Sequence, residues 1–253
     1  MSAVVTDREA ELAASLTAVR ERLARAAQAA GRDVADIRLL PVTKFFPATD
    51  VRILYGLGCR DFAESREQEA SKKAVEIATV LADEVADDPV RWHMVGRIQR
   101  NKAKAIARWA YAAHSVDSAK LIAALDRGAA DALADGARTA PLRVYLQLSL
   151  DGDVERGGID VNRPELVDEL CAAVDSAEAL QFVGLMAIPP LGADAASAFA
   201  RLQAESQRVQ KGYQQRLELS AGMSGDLETA VEHGSTCVRV GTALMGPRPL
   251  TSP

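Results

Sequence analysis

Aromatic residues make up only 4% of the chain, too few to build the stacked-ring platforms on which single-stranded nucleic acids are bound. Cysteine is scarcer still. Cys59, Cys171 and Cys237 are odd in number and far apart, with no CxxC pair and no Cys/His cluster, so neither a disulfide framework nor a structural zinc site is supported. Positive charge is not in excess. Lys+Arg 30 against Asp+Glu 35 leaves a formal charge of −5, which argues against a general polyanion binder. No apolar run approaches the about 20 residues that span a bilayer. The start carries Asp7, Arg8, Glu9 and Glu11 where a signal peptide needs an apolar segment. Neither GxGxxG nor GxxxxGK[ST] occurs, so the usual phosphate-cradling loops of open sheets are missing. Asp151-Gly152-Asp153 begins like a calcium loop, but Glu155, Gly158 and Asn162 miss the required spacing. These absences predict a reduced, cytoplasmic protein with no metal, nucleic acid or membrane partner.

What is present is ordinary globular material, 48% apolar and 26% charged. A chain of 253 residues buries about 70–75% of its unfolded surface, enough for a large core. Leu12, Leu16, Val19 and Leu23 fall at spacings of four, three and four, which predicts an amphipathic helix over about 7–30. Short apolar runs then alternate with helical patterns. Strands are predicted over Ile37–Thr43, Asp61–Ala63, Trp92–Val95, Tyr111–His114, Leu142–Leu148, Leu180–Met186, Leu217–Ser220 and Cys237–Val240. Helical patterns separate them, among them Gln68–Val85, Lys102–Trp109, Ala119–Leu133, Pro164–Val174, Ala195–Arg216 and Leu227–His233. Eight strand–helix units after a leading helix fit an α/β fold of the (β/α)8 TIM-barrel type. A doubly wound open sheet is the alternative. No linker or low-complexity tract divides the chain, so residues 1–253 are expected to form one domain, with the barrel over about 37–248.

In such a barrel, chemistry belongs at the C-terminal ends of the strands. Strand seven runs into Ser220-Ala221-Gly222-Met223-Ser224 and strand eight into Arg239-Val240-Gly241-Thr242. Small residues with free amides and hydroxyls at these two ends suit an anion, since barrels frequently hold a phosphate there. Lys44 ends the first strand, where an amine could condense with a carbonyl compound. A surface lysine is the plainer alternative. A phosphorylated aldehyde would satisfy both features. Arg239 alternates with Val238 and Val240, so with the valines toward the helices it enters the barrel. A buried cation there needs an acceptor, either a ligand atom or a carboxylate such as Glu64 or Asp117. His93 and His114 lie within strands and are expected to be hydrogen-bonded barrel residues, with no triad partner identifiable. Arg97, Arg100, Lys102, Lys104 and Arg108 form a basic stretch read as a solvated face.

Ordered motifs carry a family likeness over about Arg38 to Arg248. They are Leu40-Pro41-Val42-Thr43-Lys44, Trp92-His93-Met94-Val95-Gly96, His114-Ser115-Val116-Asp117-Ser118, Gly184-Leu185-Met186, Leu219 to Ser224 and Gly234 to Ala243. The chain resembles the pyridoxal-phosphate homeostasis proteins, single-barrel relatives of the alanine racemase N-terminal domain. The resemblance implies the fold-type III barrel of pyridoxal 5′-phosphate (PLP) proteins, with the cofactor held as a Schiff base on Lys44. It implies that Ser220, Ser224, Gly241 and Thr242 hold the phosphate and that Arg239 faces the pyridine nitrogen. Two positive charges repel, so that nitrogen stays unprotonated and the ring becomes a poor electron sink. The implied role is PLP homeostasis with no catalytic residue assigned. PLP-dependent apo-enzymes are the expected partners, and a monomer the expected state. A weak amino-acid racemase and a cofactor-free Schiff-base aldolase remain the alternatives. A racemase's second acid/base group comes, by the same resemblance, from an added β-domain, for which 253 residues are expected to leave no room. Two departures stand out. Ala63-Glu64-Ser65 replaces the family's Gly-Glu-Asn, and Ala221 replaces a methionine.

Overall fold

The computed structural model describes residues 2–81, 88–153 and 157–248. A long first helix, α1 (Ser2–Ala29), precedes strand β1 (Arg38–Pro41). Then follow α2 (Ala48–Gly56), β2 (Asp61–Glu64), α3 (Glu67–Val80), β3 (Arg91–Met94), α4 (Ala103–Trp109), β4 (Ala112–Val116) and α5 (Ala119–Ala134). The second half comprises β5 (Leu142–Ser149), β6 (Ile159–Asp160), α6 (Pro164–Asp175), β7 (Leu180–Ala187), α7 (Ala195–Gln210), β8 (Glu218–Ser220), α8 (Leu227–Glu232), β9 (Cys237–Val240) and α9 (Thr242–Met245).

All strand pairs are parallel, in the order β1-β9-β8-β7-β5-β4-β3-β2. A bridge from Val42 to Ala63 joins the two ends. The result is a nearly closed eight-stranded barrel, and the open-sheet alternative falls away. Parallel strands demand crossovers, and the helices supply them on the outer face. Their apolar stripes meet the strands in two large clusters. One is built around Leu125, Leu146, Val167, Leu185 and Phe199, the other around Leu16, Leu54, Phe62, Val238 and Val240.

Two segments differ most from the sequence reading, and a third lies outside the described residues. The two-residue strand β6 pairs with the end of β5 at Leu148 and Ser149, and nothing in so short a segment signals it. Helix α7 stops at Gln210 rather than Arg216. Its last side chain turns back, the Gln210 amide donating to the carbonyls of Tyr213 and Gln215 while its Oε1 accepts from Leu217 N at 2.8 Å. That closes a turn where helical periodicity would have continued. The expected end of α3 at Val85 lies outside the described residues.

Helix α1 does more than cover the barrel. Its buried stripe, Leu12, Leu16, Val19 and Leu23, packs with Leu227 and Val231 of α8 and Leu244 and Met245 of α9. Arg22 pairs with Glu228 and donates to Ser224 O at 2.7 Å, and Arg8 donates to Asp50 at 2.7 Å and Met245 O at 3.0 Å. The leading helix therefore ties down both loops that the sequence marked as an anion site. Among the described residues no helix is long and apolar enough to cross a membrane, and no group of three His, Cys, Asp or Glu could hold a metal ion.

Candidate functional site

The C-terminal ends of β1, β8 and β9 bring the marked residues to one end of the barrel. Leu40 pairs with Arg239 and Pro41 with Val240, and Val42 N bonds Val240 O at 2.9 Å. Two residues beyond Val42 stands Lys44, and one beyond Val240 stands Gly241. Lys44 is half-buried in a tight turn in which Phe46 N donates to Thr43 O at 3.1 Å. Phe45 in that turn takes a φ of 70°, a region that a bulky residue enters only when its surroundings force it. The surroundings are Glu69, which accepts from Phe45 N at 2.6 Å, and Arg248, whose guanidinium sits 3.7 Å from the ring centroid. The Lys44 ammonium lies 5.7 Å from the same centroid.

A buried polar cluster braces the turn from below. Lys73, 5% exposed, reaches Glu64 Oε1 at 2.6 Å and Thr43 O at 3.0 Å, and Thr43 Oγ1 donates to the same carboxylate oxygen at 2.7 Å. Glu64 is fully buried, and burial pushes its carboxyl above the ordinary range although Lys73 opposes the shift. Its other oxygen, Oε2, is buried with no hydrogen-bond partner among the described residues.

Across the mouth, Ser224 Oγ accepts from Ala243 N at 3.2 Å, which joins the loop after β8 to the start of α9. The first amides of a helix lack intrahelical acceptors; that of Ala243 turns to Ser224 Oγ, and that of Thr242 lies one residue before it. Gly222 shapes this loop. Its φ is 91°, its carbonyl accepts from Arg239 N at 2.9 Å, and an added Cβ would lie 2.6 Å from Ala230 Cβ. Gly222→Ala is expected to destabilise the fold by about 1–3 kcal/mol through the strained φ and the clash. The check is a lower urea midpoint at unchanged slope.

Arg239 is 4% exposed and faces the barrel interior, its neighbours Val238 and Val240 packing on the helix side. Its Nη1 donates to Ser220 Oγ at 2.7 Å and its Nη2 to Ala187 O at 2.9 Å. Glu64 is engaged by Lys73 instead, and Asp117 accepts from Gly158 N at 3.1 Å. Burial lowers the pKa of Arg239, yet an arginine remains charged at any physiological pH.

Ser220 stands apart from the other marked residues. It is fully buried, and its hydroxyl lies 2.9 Å from His114 Nδ1 as well as against Arg239. It therefore points into the barrel, while Ser224, Gly241 and Thr242 gather at the mouth. The sequence reading also passed over the ring partners. His114 Nε2 lies 2.9 Å from His93 Nδ1, and His93 Nε2 lies 2.9 Å from Asp61 Oδ1. The signal available was one histidine in each of two successive strands, which parallel pairing makes neighbours.

Other expectations resolve simply. In the basic stretch Lys102 meets Glu67 at 3.4 Å, Lys104 meets Asp131 at 2.7 Å and Arg108 meets Asp135 at 2.5 Å. Such surface pairs add little to stability. The Ser65 carbonyl would lie only 2.0 Å from a Cβ at position 96, so Gly96 is required for the strand ends to approach. Ala221 is buried in the outer core. Beside the mouth a cleft of about 790 Å³ is lined by Phe45, Ser65, Arg66, Lys73, Arg97 and Gln99 among others.

The family profile described as alanine racemase, N-terminal domain, matches residues 14–249. A pyridoxal phosphate homeostasis protein of Mycobacterium tuberculosis is 60% identical over 249 residues, covering 98% of this chain and 96% of the relative. The chain belongs to the pyridoxal phosphate homeostasis protein family. Among solved structures, PipY of Synechococcus elongatus resembles it without and with PLP bound, at TM-scores of 0.76 and 0.73 and identities of 33% and 31%. Each comparison covers 93% of this chain and 100% of PipY. Alanine racemase of Clostridium difficile, 13% identical with a TM-score of 0.68, shares the fold; the likeness covers 96% of this chain and 58% of the racemase. The family's barrel with its leading helix is the architecture described above.

Proposed function

We propose that this chain holds PLP on Lys44 and keeps it available to PLP-dependent apo-enzymes, while performing little chemistry with it. The carrying observation is the cation at Arg239, locked between Ser220 Oγ and Ala187 O on the strand beside the one that leads to Lys44. The donor set fits the cofactor. Lys44 supplies the amine for the aldehyde, Ser224 with Gly241, Thr242 and the Ala243 amide supply a phosphate cradle, and Arg239 meets the ring nitrogen. Ser220, turned inward, serves here as the support of Arg239 rather than as a phosphate ligand. When bound, PLP supplies an aldehyde that condenses with amines and a ring that can take up electrons from a substrate carbon. Arg239 works against the second property, because its fixed charge keeps a proton off the facing nitrogen.

The two interior histidines are fully buried and bonded to one another, so neither offers a base to a substrate at the mouth. This supports a holder over a racemase. The test is PLP titration of the purified chain, followed by borohydride and peptide mass analysis. A yellow protein modified at Lys44, with α-proton exchange of alanine in deuterated water no faster than free PLP gives, is the expected result. A colourless protein with unmodified Lys44 overturns the proposal, and exchange well above free PLP converts it into a racemase.

A further inference from the structure

The barrel interior contains a continuous polar line where a (β/α)8 core ordinarily packs branched apolar side chains. It starts at Asp61, the first residue of β2, passes through His93 on β3 and His114 on β4, crosses the barrel to Ser220 on β8 and ends at Arg239 on β9. Each link is 2.7–2.9 Å long. His114 and Ser220 stand on strands that are not neighbours, so their contact crosses the interior.

The two ends dictate what happens between them. A guanidinium can only donate and an ionised carboxylate can only accept. Arg239 therefore donates to Ser220 Oγ, which leaves the Ser220 proton for His114 Nδ1. A ring accepting at Nδ1 donates from Nε2, and it meets His93 Nδ1. His93 in turn donates from Nε2 to Asp61. Every link on the line then has one donor and one acceptor, in a single direction. With the rings in the opposite tautomer, the bare His93 Nε2 would face the bare carboxylate, two acceptors 2.9 Å apart.

We propose that Asp61, His93, His114 and Ser220 form a one-way hydrogen-bond relay that positions the Arg239 guanidinium, with both histidines held neutral and protonated on Nε2.

The surroundings agree. Burial lowers the pKa of both rings, and for His114 the neighbouring His93, Arg239, Arg38 and Arg143 act in the same direction. Tyr145 stacks on His114 with centroids 4.0 Å apart, and Tyr111 tilts over His93 at 5.4 Å. Hydrogen bonds from His93 and Arg91 keep Asp61 below the usual carboxylate range despite its burial, and Arg38 lies 4.0 Å from it. Glu218 is taken up by Arg38, Arg143 and Tyr145. Cys237, beside Ser220, is pushed up to about 11 by burial, against a hydrogen bond with Ser220, and remains a thiol, a weaker acceptor than the His114 ring nitrogen. Asp61, His93, His114 and Ser220 are thus positioning residues, acting on the cofactor site only through Arg239.

The relay rests on the PLP reading only for what Arg239 meets, and its test needs no cofactor. The chain has three histidines, His93, His114 and His233, so long-range proton–nitrogen correlation of the full-length labelled protein resolves them. Both interior rings are expected to carry one proton, on Nε2, from about pH 5 to pH 8. Ser220→Ala is expected to shift the His114 Nδ1 resonance to higher frequency as its donor is lost, and Ser220→Thr, which keeps the hydroxyl, to restore it. With PLP present, Ser220→Ala is expected to weaken uptake by about tenfold, the effect of releasing one charge-assisted hydrogen bond. A proton on Nδ1 of either ring, a doubly protonated ring in that pH range, or a His114 signal indifferent to Ser220→Ala overturns the relay. A protein with the expected tautomers that takes up no PLP retains the relay and loses the cofactor reading. PLP uptake with a titrating His114 does the reverse.

Discussion

Lys44→Ala protein is expected to stay colourless with PLP and to gain no mass after borohydride, where the unaltered protein does both. The change removes the amine that the fold presents just past the end of β1, held there by the turn through Thr43, Phe45 and Phe46. Lys73 is near in space but cannot substitute. Its ammonium is buried against Glu64 and the Thr43 carbonyl, and no imine forms on a protonated amine committed to a carboxylate. Reversible binding should survive, because the Ser224 hydroxyl, the Thr242 and Ala243 amides and Arg239 belong to other strands and do not rest on Lys44. Stability should change by no more than about 0.5 kcal/mol, as for other half-exposed side chains outside the core. Equal adduct in both proteins, located by peptide mass, would move the covalent site elsewhere.

The repeating pattern of the sequence carried the barrel because parallel strands buried on both faces read as apolar runs, and amphipathic helices separate them. Ile37–Thr43 and Leu180–Met186 were legible for that reason. Segment ends were less so. Gln210 closes α7 through side-chain bonds to residues three, five and seven positions on, a device with no periodic signature. The site divides along the same line. In the proposed site, the places of Lys44, Ser224, Gly241 and Thr242 past the strand ends follow from strand positions, and the alternation of Val238, Arg239 and Val240 carried the arginine's direction. What Arg239 meets could not be read. Its partners sit on β7 and β8, and the line continues to β4, β3 and β2. Contacts across a barrel depend on strand stagger, which residue types do not encode. Ser220 shows the limit, since a serine at a strand end suits a phosphate equally well until the direction of its hydroxyl is known.

Lys73→Met is expected to cost about 3–5 kcal/mol, the usual penalty for removing one partner of a buried ion pair. Glu64 is fully buried, and Lys73 is the cation opposing its desolvation. Without the ammonium, the Glu64 carboxylate keeps, among the described residues, one neutral donor, Thr43 Oγ1, with Oε2 unpaired. The sign of the pH dependence follows. Burial already raises the folded pKa of Glu64 above its unfolded value, and removing Lys73 raises it further. A raised acid is destabilising above its unfolded pKa of about 4.3 and neutral below it, so the urea midpoint of the variant should recover as the pH falls from 7 toward 4. Glu64→Gln combined with Lys73→Met should recover most of the loss already at pH 7, because an amide of the same shape still accepts from Thr43 and carries no charge to bury. The consequence reaches the mouth. Lys73 holds the Thr43 carbonyl, and Glu69 holds the Phe45 amide at its left-handed φ, so the pair braces the strained turn that presents Lys44. Slower adduct formation in folded Lys73→Met protein, restored in the double variant only so far as the turn is restored, is the kinetic counterpart. A pH-independent loss would mean that Lys73 acts by filling space, and that the charge of Glu64 plays no part in holding the turn.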